Sequence, residues 1–99
     1  MTAEPDLSIA RAWHAADEEW KVVAFRCVHW FADRGVEFTA DDIWDAMEKW
    51  YPKVSTREKR AMGFVLRQSA REGLIVKVRI EESRRESRHK GLMSVWRGV

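Results

Sequence analysis

The chain has 99 residues, enough for one domain around one small core and too few for two. Apolar residues make up 45% and charged residues 34%, with only 5 Gly and 2 Pro, which excludes collagen-like and Gly/Pro-rich disordered chains. The net charge of +2 hides a division: residues 1–52 carry 5 Lys/Arg against 11 Asp/Glu (−6), and residues 53–99 carry 13 against 5 (+8).

A basic half of this kind points to a polyanion partner; the alternative is a solubilising surface. No apolar run approaches the ~18 residues of a membrane span, so no membrane partner is expected. No basic stretch followed by an apolar core opens the chain, so no secretory signal is expected. Cys27 stands alone. It allows no intrachain disulfide and makes a reducing, cytoplasmic setting the expectation.

In chain order, the first predicted element is a long helix from about Leu7 to Arg34, with Asp6 as its N-cap and Gly35 past its end. Trp13, Ala16, Trp20, Val23, Cys27 and Trp30 recur at spacings of three and four, the period of one helix face. Between Val22 and Ala32 most sides of the helix are apolar. A break near Ala15–Asp17 would make it two helices, with residues 1–19 as an N-terminal extension or extra helix.

The second helix opens on Thr39 as N-cap with Asp42 at N3, and Phe38 and Ile43 form a hydrophobic staple. Ile43, Ala46, Met47 and Trp50 make its predicted buried stripe, and Pro52 stops it. A short connection leads to Ser55-Thr56-Arg57-Glu58, which reads as a capping box for a third helix running to about Glu72, with Gly73 past its end. Two capped helices joined by so short a turn read as a helix-turn-helix. The period then drops to two. Leu74, Val76, Val78 and Ile80 alternate with Ile75, Lys77 and Arg79, which predicts a strand with one buried face. After a charged loop, 81–91, a second strand over 93–97 returns. The fold class expected is α+β: three or four helices and a C-terminal hairpin in one domain.

On the third helix Met62, Val65, Leu66 and Ser69, with Ala70, form the predicted core face. Opposite lie Arg57, Arg60, Phe64, Arg67 and Arg71, at spacings of 3, 4, 3 and 4. Four guanidinium groups on one stripe repel one another until phosphates or carboxylates come between them. The second helix of a helix-turn-helix enters the DNA major groove with its outer face and N-terminal turn, which adds Thr56. Arg bonds phosphate or pairs bidentately with guanine. The chain has no Asn and one Gln, so Gln68 is the one candidate for amide recognition of adenine. Phe64 contacts a thymine methyl, packs beneath the following loop or meets a protein. Arg84, Arg85, Arg88, His89 and Lys90 place a second basic group on the hairpin loop. The alternative for both groups is a solvated surface.

This arrangement resembles a winged helix. More narrowly, Arg60-Ala61-Met62-Gly63, Ala70, Glu72-Gly73-Leu74-Ile75, Ser87–His89 and Val95-Trp96-Arg97 look like small winged helix-turn-helix proteins of phages and prophages, especially actinobacterial ones. The match spans roughly residues 38–97. The resemblance implies that the helix before Gly73-Leu74-Ile75 is the recognition helix and that Val95-Trp96-Arg97 is the returning strand of the wing. It also implies double-stranded DNA as partner and a role in phage transcription regulation, replication or recombination.

Other chemistry is poorly supported. His14, His29 and His89 are scattered, Cys27 and His29 diverge on a helix, and Asp41 and Asp45 suit a first helical turn. No catalytic residues, metal ligands or cofactor are expected. The competing function is a protein-interaction module that modulates a host or phage protein, because six Trp exceed what one small core easily holds. Trp13, Ala16 and Trp20 extend an apolar face that would join two copies into a homodimer; alternatively Trp13 folds back on its own core.

Overall fold

The computed structural model describes residues 16–56, 58–82 and 91–99. Among them it forms an α+β domain of three helices and a three-stranded antiparallel sheet. The order is α1 (Glu18–Arg34), β1 (Glu37–Phe38), α2 (Ala40–Trp50), α3 (Ala61–Arg71), β2 (Ile75–Glu82) and β3 (Leu92–Gly98). The strands lie in the order β1-β3-β2, so the last strand inserts between the first two.

Local chemistry sets most of these boundaries. Among the described residues the first helix starts where the acidic residues begin, and the expected segment before residue 16 lies outside them. Asp17 is extended (φ −65°, ψ 140°), and Glu18 and Glu19 fill the first turn of α1, where the helix dipole favours negative charge. Gly35 ends α1 at φ 65°, and its N–H donates to Ala32 O. At α2 the predicted capping box is complete: Thr39 Oγ1 accepts from the Asp42 N–H, and the Thr39 N–H donates to Asp42 Oδ2 at 2.8 Å. Both staple residues, Phe38 and Ile43, are buried. At the far end of α3, Gly73 turns left-handed at φ 78°. Its N–H reaches Ala70 O while the Leu74 N–H reaches Ser69 O, both at 3.0 Å, which is a Schellman closure.

The core joins all three helices to the sheet. Trp20, Val23, Ala24, Cys27 and Val28 come from α1, and Ile43, Ala46 and Met47 from α2. Ala61, Met62, Val65 and Leu66 of α3 complete it with Ile75 of β2. Ser69 is buried among them because its hydroxyl donates to Val65 O, one turn back, at 2.9 Å.

Four expectations need correction. The third helix begins at Ala61, not at the Ser55–Glu58 box. Thr56 Oγ1 instead accepts from the Glu58 N–H two residues on, and the Glu58 carboxylate turns to Arg60. The box is therefore spent on a local turn. In β2 the expected buried face of Val76, Val78 and Ile80 is exposed. Ile75 alone in β2 is buried, whereas Val76 and Ile80 are 45% and 56% exposed. The strand is an outer one and runs past the helices, and its register against β3 shifts between Lys77 and Arg79. Trp50 is 40% exposed: α2 ends beyond the core, and Trp50 meets the partly exposed Trp30 edge to face, ring centroids 4.8 Å apart. Lastly, Ala16 and Trp20 do not offer a face for a second copy. Both are buried in the chain's own core, with the Trp20 ring 5.6 Å from that of Trp44. Trp13, the third residue of that expected dimer face, lies outside the described residues.

Candidate nucleic-acid interface

The inner side of α3 is used up by packing, which leaves its outer side as the candidate surface. Arg67 and Arg71 are exposed there, one turn apart, and Phe64 and Gln68 of the same helix are half-buried. Arg60 sits just ahead of the helix as its cap residue and is also exposed. All three arginines are exposed, although the helix starts later than its sequence predicts and Arg60 precedes it.

Two of the candidates have partners within the chain. Arg60 Nε donates to Glu58 Oε1 at 2.9 Å, and this hydrogen bond, with the charge behind it, holds the guanidinium proton more tightly than usual. An exposed pair of this kind is weak enough to exchange its carboxylate for a phosphate. Gln68 Nε2 donates to Glu72 Oε2 at 2.9 Å, so the amide must leave Glu72 before it reads a base. Thr56 is half-buried, and its hydroxyl serves the turn before α3 rather than a helix cap. Arg57 and the loop residues Arg84, Arg85, Arg88, His89 and Lys90 lie outside the described residues.

Between α2, α3 and β3 the structure opens a groove of about 890 Å³. Trp44, Met47, Met62, Leu66 and Trp96 line it, and so do the cations Lys59, Arg60 and Arg67. No spacing in the sequence marks the groove, because Trp44, Met62 and Trp96 come from three separate elements. The surplus of tryptophan was the one signal of it.

Away from this side, Arg34 lies 3.8 Å above the centre of the Trp30 ring system, and Trp30 meets Trp50. Cys27 is buried, and its thiol is pushed up to about 11 by loss of water, with the neighbouring Arg26 charge opposing. Among the described residues no three of His, Cys, Asp or Glu converge to hold a metal ion. No described helix is long and apolar enough to cross a membrane. Comparison with protein-family models, with curated proteins and with solved structures finds no match.

Proposed function

We propose that the chain is a winged-helix protein that binds double-stranded DNA, with α3 as its recognition helix and the β2–β3 hairpin as its wing. The observation that carries this reading is the placement of α3. It packs Met62, Val65, Leu66 and Ser69 inward and leaves Arg67 and Arg71 outward. A hairpin whose loop sequence holds Arg84, Arg85, Arg88 and Lys90 follows directly. The strand order β1-β3-β2, with β2 and β3 paired antiparallel, supports it, being compatible with a winged helix. That resemblance extends the proposal to a phage or prophage regulator, or an accessory factor of replication or recombination.

The test is a titration of duplex DNA at several salt concentrations. Six phosphate contacts give a log–log slope of roughly −5. A slope near zero, or no binding at low salt, overturns the proposal. The second reading, a protein-interaction module, is favoured by one observation: Val76, Val78, Ile80 and Leu92 leave an apolar stretch of the hairpin exposed.

A further inference from the structure

We infer that the groove between α2, α3 and β3 is a binding site for a small organic anion with an aromatic body. At about 890 Å³ it falls in the range of small-molecule sites. Its walls are apolar and come from three elements: Trp44 and Met47, Met62 and Leu66, and Trp96. Trp44 and Trp96 are half-buried, so each keeps ring surface that a ligand can cover. Trp44 is held in place by Trp20 behind it, ring centroids 5.6 Å apart. Such a wall accepts a flat hydrophobic body, and the thioethers of Met47 and Met62 adjust to its outline.

The charge of the lining selects the ligand further. Among the described residues Lys59, Arg60 and Arg67 line the groove against one acid, Glu48, so positive charge is in excess. Glu58 takes up part of the Arg60 charge, and Lys59 and Arg67 add to the positive lining. A carboxylate or sulfonate attached to an aromatic body satisfies both features at once. A neutral aromatic gains only the walls, an inorganic anion gains only the cations, and an organic cation is repelled. The inference does not rest on DNA binding, since phosphates of a duplex do not use the apolar walls.

The experiment titrates 1-anilinonaphthalene-8-sulfonate into the full chain without DNA and compares it with its neutral counterpart, N-phenyl-1-naphthylamine. The expected result is one saturable site for the sulfonate. In ¹H–¹⁵N spectra the indole N–H signals of Trp44 and Trp96 shift, while those of Trp30 and Trp50, outside the groove, stay in place. The neutral probe and the Lys59→Gln, Arg67→Gln double variant each bind about tenfold more weakly, the worth of one charge-assisted hydrogen bond. Equal affinity for the two probes overturns the inference, as do shifts spread over all the indoles or fluorescence that never saturates. If the double variant does not fold, the comparison of the two probes on the unaltered chain decides alone. DNA binding is measured separately, so its loss and the loss of probe binding are distinguishable.

Discussion

Arg79 on β2 and Glu37 on β1 meet across the middle strand of the sheet. Arg79 Nη1 donates to Glu37 Oε1 at 2.7 Å, although β3 lies between their strands. Arg79 Nε also donates to Glu81 at 2.8 Å, and the two carboxylates together hold the guanidinium proton above its usual range. β1 has only two residues, so this clasp adds to a short ladder. The side chains are 47% and 40% exposed, which leaves the pair open to screening. Glu37→Gln is expected to lower the urea midpoint slightly in low salt, with the difference gone by roughly 1 M NaCl. A difference that persists in high salt shows that the carboxylate acts through something other than charge.

Gly98 sets how closely β3 approaches α1. A Cβ there would lie 2.7 Å from the carbonyl carbon of Ala32 and 2.8 Å from its Cα, both backbone atoms that cannot step aside. Gly98→Ala should destabilise the chain by about 1–3 kcal/mol through overpacking. Gly35→Ala meets open space and is strained only by its φ of +65°, so about 1 kcal/mol is expected there. Urea unfolding of both variants checks the order; Gly98→Ala as the milder change contradicts the close approach.

Burial of Cys27 gives a stability term at alkaline pH. Its folded value of about 11 lies above the ordinary 9.0, so the unfolded chain loses its proton first. The contribution is therefore complete below pH 9 and falls away as pH rises toward 11, by about 2–3 kcal/mol in total. Urea midpoints of wild type and Cys27→Ala across this window should converge on the alkaline side. The thiol should also resist alkylation in the native state at pH 8 and react only on unfolding.

The capping box of α2 is a local device with a measurable worth. Thr39→Ala removes the acceptor for the Asp42 N–H, and about 1 kcal/mol of stability goes with it. Thr39→Ala and Asp42→Ala should not add, because each breaks the same reciprocal pair. Full additivity in denaturant melts would mean that the box does not act as a unit.

On DNA, Arg71→Ala should weaken binding to all sequences alike and reduce the salt slope by about one, as a phosphate contact does. Arg60→Ala should cost about tenfold and relax preference at one base pair, if Arg60 leaves Glu58 for a guanine. Binding measured against a panel of single-base variants separates the two; equal loss on every sequence makes Arg60 a backbone contact.

Signals carried by neighbouring residues were legible in the sequence alone. The box at Thr39 and Asp42, the left-handed stops at Gly35 and Gly73, and the core face of Met62, Val65, Leu66 and Ser69 all occur as their spacing predicts. So does the outward turn of Arg67 and Arg71, since a helix that buries one face must expose the other. Each of these is settled within one or two helical turns, by backbone hydrogen bonds and side-chain period. Tertiary structure decided the rest. A period of two identifies a strand without saying how much of it the helices cover, so Val76 and Ile80 turned out exposed and in β2 only Ile75 is buried. A box sequence can serve a turn instead of a helix, as Thr56 and Glu58 do. Trp20 was free to face a partner until Trp44, 24 residues away, came to lie against it. The groove lined by Trp44, Met62 and Trp96 exists only because three elements meet there. Such contacts depend on how elements dock, and docking is set by the summed fit of many side chains rather than by any local pattern.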